Sequence, residues 1–336
     1  MMVETIRMRK SSGSGICSRR DFLANVGTAG LAATLASAVL PGCVPGRTAE
    51  RKPDLIWGRR GLSDGRLMKP RAMTIDTQDR LYIVDMTGRI QVFDADGNYL
   101  RGWRTPEITN GKPLGMTIGN DGGLVVADTH YFRVLFYSLD GHLDESRTIG
   151  GKSGDQPGEF NFVTDVVQRK NGNFCVGQYG QIDLIQEFDP AGVFIRRWGS
   201  QGSKAGEFSR PQTLVLDETG LLWIADACNH RIQAFQLDGP KPELVKIWGT
   251  AGSKSGQLKF PYGMDFDDDG TLLVAEYENH RVQRFSRDGE SLAMWGQPGA
   301  SEGQFTNPWA LIVDSKHRLH VLDSHNHRVQ RFRLPS

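Results

Sequence analysis

Beyond residue 53 the chain alternates short apolar runs with turns rich in Gly, Asp and Asn, and the runs come in groups of four. One group, Gly206-Glu207-Phe208 through Trp248-Gly249, aligns with the next, Gly256-Gln257-Leu258 through Trp295-Gly296. Each opens on a glycine and an apolar residue, reaches a proline, and runs into an apolar strand. A turn and a second strand ending in an acid follow; then come Asn-His-Arg, a third strand, and a fourth strand ending in Trp-Gly. The frame recurs six times with a period of 43 to 50 residues. Its proline positions are Pro70, Pro113, Val163, Pro211, Pro261 and Pro308, and its acid positions are Asp85, Asp128, Gln178, Asp226, Glu276 and Asp323.

Four strands per period of this length describe a propeller blade. The prediction is therefore an all-β chain, a six-bladed β-propeller of four-stranded antiparallel blades over residues 53–336. The ends of the chain sharpen it. The last repeat stops at Phe332-Arg333-Leu334 after three strands, and an unpaired strand, residues 53–58 with Leu55-Ile56-Trp57, precedes the first repeat. The N-terminal strand is expected to complete the C-terminal blade, which removes the open sheet edges that invite aggregation.

The triplets Asn229-His230-Arg231, Asn279-His280-Arg281 and Asn326-His327-Arg328 resemble the NHL repeat family over residues 53–336. That resemblance implies the same propeller and, since many such propellers are interaction platforms, a binding role. The region before it reads as an address. Scattered basic residues lead to Ser18-Arg19-Arg20-Asp21-Phe22-Leu23, a Gly/Ala-rich apolar stretch spans Val26 to Leu40, and Leu40-Pro41-Gly42-Cys43 closes it. The Ser-Arg-Arg run resembles a twin-arginine (Tat) export signal, and the run ending in Cys43 resembles a lipobox. Residues 1–42 are thus expected to be a signal peptide, Cys43 a lipidated N-terminus, and residues 43–52 a tether. The protein is expected on the periplasmic or cell-surface side, as a membrane-anchored lipoprotein delivered by the Tat machinery. An uncleaved membrane anchor is the alternative.

Forty glycines and fifteen prolines agree with frequent turns. Removing residues 1–42 takes away five basic and two acidic residues and leaves a slightly acidic domain, so a nucleic-acid partner is not expected. Cys17, Cys43, Cys175 and Cys228 form no zinc-ligand spacing, and no disulfide is expected. Gly151-Lys152-Ser153 resembles a phosphate loop only superficially, because it recurs as a linker at Gly202-Ser203-Lys204 and Gly252-Ser253-Lys254. Trp57, Trp103, Trp198, Trp248 and Trp295 share one repeat position and are expected to pack between blades. The repeated acid and arginine, such as Asp226 with Arg231, are expected to brace a hairpin. The histidines of the triplets are expected to pack in turns rather than to bind metal.

A site on a repeat scaffold must break the repeat. The residue after the proline position reads Arg71, Leu114, Thr164, Gln212, Tyr262 and Trp309, a mixed ring suited to a pocket. Asp165 is the only charge in the next, small-residue column (Ala72, Gly115, Asp165, Thr213, Gly263, Ala310), and it either holds a cation, acts as a base, or meets backbone amides. The candidate ligand site is therefore Arg71, Thr164, Asp165, Gln212, Tyr262 and Trp309 around one mouth of the axis. No catalytic residue is assigned. The expected function is a ligand- or protein-binding scaffold, acting as a monomer on an unidentified protein or small molecule.

The alternative is a propeller enzyme of the peptidyl-hydroxyglycine alpha-amidating lyase type or a metal-dependent hydrolase. The lyase resemblance implies zinc-binding histidines in the column after the proline, where this chain has none, and arginines after the repeat acid, where Met86, Ala227 and Tyr277 stand. A calcium-dependent hydrolase needs several axial oxygen ligands. No cofactor is predicted for the binding reading; zinc or calcium belongs to the enzyme reading.

Overall fold

The structure, a computed structural model, describes residues 51–335. Residues 1–42 and Cys43, the expected signal and lipidation site, lie outside the described residues. The described chain forms six four-stranded antiparallel sheets. Their first strands are Ala72–Ile75, Gly115–Ile118, Phe162–Gln168, Pro211–Leu216, Pro261–Phe266 and Pro308–Val313, and each touches the first strands of its two neighbours in a closed ring. This is the expected six-bladed propeller, with blades numbered here one to six in that order. The ring closes as expected: Leu55–Trp57 pairs antiparallel with Arg328–Arg333, setting Leu55 opposite Arg331 and Trp57 opposite Val329. Blade six is thereby made from both ends of the chain.

The tryptophan column forms the joints. Trp57 stacks 4.7 Å from Phe93, Trp103 lies 6.0 Å from Tyr137, Trp198 6.4 Å from Phe235, Trp248 4.8 Å from Phe285 and Trp295 6.5 Å from Phe332. Each pair joins the last strand of one blade to the third strand of the next, burying large apolar faces where the sheets splay apart. At the joint from blade two to blade three, Ile149 replaces the tryptophan and packs in the cluster that holds Phe188. The glycine in the outer hairpin of the following blade is needed for this contact. A side chain at Gly97 or Gly289 would run into the Trp57 or Trp248 ring, and both glycines have positive φ.

The repeated acid and arginine do more than brace a hairpin. Arg231 Nε donates to Asp226 at 2.7 Å, while its terminal nitrogens donate to the carbonyls of Ser203, Lys204 and Glu207. Arg281 repeats the pattern on Ser253, Lys254 and Gln257. The Gly-Ser-Lys linkers thus spend their carbonyls on a buried guanidinium, which accounts for their recurrence. In blade three Gln178 and Leu184 replace the pair, while Gln186 joins Gln178 (3.1 Å) to the carbonyl of Glu159 (2.7 Å) as Gln233 joins Asp226 to that of Glu207 in blade four.

The triplet histidines latch one blade to the next. Nδ1 of His230 accepts the backbone N–H of Phe260 (3.1 Å), His280 that of Asn307 (3.0 Å), and His327 that of Lys69 (2.9 Å). Each donor immediately precedes the blade proline and has positive φ, 51°, 53° and 46° respectively. Blade three achieves the same with a carboxylate: Asp183 accepts the N–H of Arg210 at 2.6 Å. Gly88 and Phe132 occupy the histidine position in blades one and two with the same left-handed backbone, so among the described residues the two joints flanking blade two show no such latch. Cys175 carries a fully buried thiol that is not in a disulfide.

Candidate functional site

The residue after the blade proline owes its direction to a backbone irregularity. In blades three to six the first two strands slip register there: Val163 pairs with Gln178 but Asp165 with Gly177, and Pro308 pairs with Asp323 but Ala310 with Leu322. Blades four and five slip at the same place. Such a bulge leaves one residue out of the ladder and re-aims its side chain. The column beyond it then alternates regularly. Met73, Met116, Val166, Leu214, Met264 and Leu311 are buried in the clusters between blades. Ala72, Gly115, Asp165, Thr213, Gly263 and Ala310 line the axis, where any side chain on Gly263 would collide with Ala310.

The axis holds a channel of about 260 Å³. Arg71, Leu114 and Trp309 line its proline end, with Asp165 and Asp265 along its wall. One side of this end is aromatic. Tyr262 stacks on Tyr277 at 4.7 Å with an interplanar angle of 29°, and Trp309 meets both edge-on at 5.0 and 5.4 Å. Tyr262 and Trp309 are 6% and 7% exposed. Burial pushes the Tyr262 hydroxyl up to about 12, so it keeps its proton at neutral pH.

The other side is basic. The Arg71 guanidinium lies 4.7 Å over the Trp309 ring. That of Arg210 lies between Tyr179 and Tyr262, at 4.7 and 5.2 Å, and its Nε donates to Gln212 at 2.9 Å. Burial holds the imidazole of His130 below its ordinary value, and the charges of Arg71, Lys112 and Arg210 push it the same way.

The predicted residues divide. Arg71, Asp165 and Trp309 line the channel, Tyr262 packs on Trp309, and Gln212 is a buried acceptor for Arg210. Thr164 is fully buried, its hydroxyl without a partner, and does not line the channel. Asp165 meets backbone amides: Oδ1 accepts from Val166 and Oδ2 from Leu214 of the next blade, both at 2.9 Å. Burial pushes its carboxyl up to about 7.

Sequence reasoning passed over three contributors: Arg210, Tyr277 and Asp265. Asp265 repeats the Asp165 arrangement between blades five and six, with Oδ1 on the N–H of Phe266 (2.9 Å) and Oδ2 on that of Val313 (2.8 Å). It keeps part of its surface open to the channel, yet lies deep among protein atoms, and burial again raises its carboxyl to about 7. The signal was available, since Asp265 is the one charge in the column Thr74, Thr117, Val167, Val215, Asp265, Ile312.

These axial residues do not fit a resident metal. All four oxygens of Asp165 and Asp265 already accept amides, and among the described residues no group of three or more His, Cys, Asp or Glu converges.

Closed six-bladed propellers with a channel along the axis form a broad class, and comparison places the chain within it. The family model for the SMP-30/Gluconolactonase/LRE-like region matches residues 70–309, and the NHL repeat model matches residues 305–332. The chain belongs to the SMP-30/gluconolactonase/LRE-like family and carries NHL repeats. Rat peptidylglycine alpha-amidating monooxygenase is 28% identical over 221 residues, 60% of this chain but only 21% of that protein. Human NHL repeat-containing protein 3 is 23% identical over 189 residues, 49% of this chain and 51% of that protein. Among solved structures, a gluconolactonase from Xanthomonas campestris superposes with a TM-score of 0.61 at 14% identity, covering 87% of this chain and 100% of that one. A streptogramin B lyase superposes with a TM-score of 0.57 at 15% identity, covering 83% and 86%. At such identities the structural likeness speaks for the fold alone.

Proposed function

We propose that this chain is a ligand-binding propeller displayed outside the cytoplasm, holding its ligand at the proline-end mouth of the axis. The observation that carries the reading is the mouth itself, where the six-fold repeat gives way to Arg71 over Trp309 beside a Tyr262–Tyr277 stack. Concave apolar surface with a few oriented polar groups is what small-molecule sites share. A thermal-shift screen of small molecules against the wild type and an Arg71→Ala/Trp309→Ala variant tests it. Hits that stabilise only the wild type support the mouth, whereas hits that stabilise both proteins equally refute it.

Residues 1–42 supply the export part of the proposal, and Cys43 the attachment. The order of basic residues, apolar stretch and small residues before Cys43 supports it. Changing Arg19 and Arg20 to Lys should hold the protein in the cytoplasm. Cys43→Ser should leave it exported but release it from the membrane fraction. A protein that still reaches the membrane's outer side without the arginine pair would remove the twin-arginine assignment.

A second reading, a propeller enzyme, is favoured by the family match over residues 70–309 together with two axial carboxyls held near neutrality. A carboxyl titrating near the working pH is suited to move a proton. Hydrolysis of a sugar-acid lactone that is lost in Asp265→Asn would establish it. A folded protein without turnover leaves the binding reading in place.

A further inference from the structure

Away from the blade prolines the axial channel passes a second ring of residues, independent of those packed together at the proline end. Four residues beyond each proline position stand Thr74, Thr117, Val167, Val215, Asp265 and Ile312, and all six line the channel. They share one level because they share one register. Thr74 pairs with Tyr82, Thr117 with Val125 and Asp265 with Leu273, in each case the residue three before the blade's acid position. Blades two and five are opposite in a ring of six, so Thr117 lies across the axis from Asp265, with Thr74 beside it in blade one. Thr117, Val215, Asp265 and Ile312 are half-buried, whereas four of the six residues in the small column nearer the prolines are buried. The lining also continues past the ring to Gln168 and Leu216. The channel therefore widens toward this end.

The ring carries one charge and two uncommitted hydroxyls. Asp265 accepts the N–H of Phe266 on one oxygen and that of Val313 on the other. Each carboxylate oxygen has two lone pairs, so each can accept once more, and the amides fix the direction of the group before a ligand arrives. The Thr74 and Thr117 hydroxyls make no hydrogen bond to another described residue, and Thr74 is only 6% exposed. An enclosed hydroxyl without a protein partner is stabilised by whatever bonds it from the channel. One negative charge and three acceptors match the three N–H groups of a primary ammonium ion. A calcium ion would need more oxygen ligands than one carboxylate and two hydroxyls provide. Among the described residues the only cation lining the channel is Arg71, at the proline end, while Asp165 adds a second carboxyl to the axis. The rest of the wall at this level, Val167, Val215 and Ile312, is apolar and suits a short hydrocarbon body.

We propose that this end of the channel binds the primary ammonium group of a small aliphatic amine, its N–H groups on Asp265, Thr74 and Thr117 and its hydrocarbon body running along Val215, Leu216 and Ile312.

Calorimetric titration of the full chain with n-butylammonium chloride and its uncharged counterpart 1-butanol tests this. At about pH 8.5 the amine keeps its proton, and the Asp265 carboxyl, raised by burial to about 7, is ionised. Butylammonium should bind at least tenfold more tightly than butanol and than ammonium chloride. Asp265→Asn should bring butylammonium down to the butanol level, and Thr74→Val combined with Thr117→Val should weaken it several-fold. Circular dichroism of each variant checks that the fold survives, and the threonine pair gives a test should Asp265→Asn fail to fold. Ammonium chloride binding as tightly as butylammonium would keep Asp265 as a cation site and overturn the organic amine. Equal affinity for butylammonium and butanol, no binding of butylammonium by the wild type, or butylammonium affinity unchanged in the variants would overturn the site itself.

Discussion

Replacing His280 by leucine removes an acceptor at the joint between blades five and six while keeping a side chain of comparable bulk. His280 Nδ1 holds the N–H of Asn307 at 3.0 Å, and Asn307 is already committed to a left-handed backbone, φ 53°, ahead of Pro308. Without the imidazole that N–H loses its partner in a partly buried place. The cost of orphaning a buried donor is about 1–3 kcal/mol, and partial access to water sets this case near the lower end. Urea unfolding should show a loss of about 1–2 kcal/mol, or roughly 2–6 °C in melting temperature, with an unchanged m-value. The Asn307 amide should also exchange faster with deuterium. His280→Asp should recover most of the loss, because Asp183 performs the same task for Arg210 at 2.6 Å. The pH dependence gives a second, independent readout. Nδ1 accepts only when it carries no proton, and burial holds His280 below its ordinary value. A base whose folded value is depressed contributes stability that is present above its unfolded value, about 6.5, and is lost as pH falls through the folded value. Wild type should therefore lose this contribution on acidification below about pH 6.5, and His280→Leu should lack that part of the slope. Equal stability of His280→Leu and wild type at pH 7.5, with parallel pH profiles, would refute the latch.

Asp165→Asn should flatten a trend of opposite sign. A carboxyl raised to about 7 in the fold favours its protonated form there, so its contribution is fully present below about pH 4 and is lost as pH rises through about 7. Urea titrations from pH 4 to 8 should show the wild type losing more stability over that window than the variant. Trp248→Ala removes the Phe285 contact and the cover over Gly289, and should cost about 3 kcal/mol or more by the same assay. Burial pushes the Cys175 thiol far up, so peptide mapping after iodoacetamide should find it unmodified in native protein and alkylated only in denaturant.

The blade frame, the ring closure and the tryptophan joints were legible because each depends on one residue type returning at one repeat position. Trp57 illustrates this: its place in the column identifies residues 53–58 as the missing strand of blade six. The histidines were equally visible in register, but their partners were not. Phe260 and Asn307 lie in the following blade, and Lys69 is 258 residues away across the ring closure, so only the fold brings donor and acceptor together. The mouth was legible in part. Arg71 and Trp309 stand out as breaks in a column, whereas Thr164, in the same column, turns into the interior. Arg210 precedes its proline rather than following it, and it joins the mouth only because its positive φ of 59° carries the side chain over Tyr179 and Tyr262.

Where the chain ends meet is not where this ring is weakest. The closing joint has Trp57 on Phe93, His327 on Lys69, and Arg331 reaching from Asp54 to Asp96. Among the described residues blade two has no histidine latch on either side, and its outer strand is only Ile149–Gly150. A ring pulled or heated to opening should part beside blade two while the terminal seam still holds. The connection over residues 105–113 is accordingly a natural place to cut the circle. A circular permutant with its new ends there and the old ends joined by a flexible linker should fold and retain the mouth.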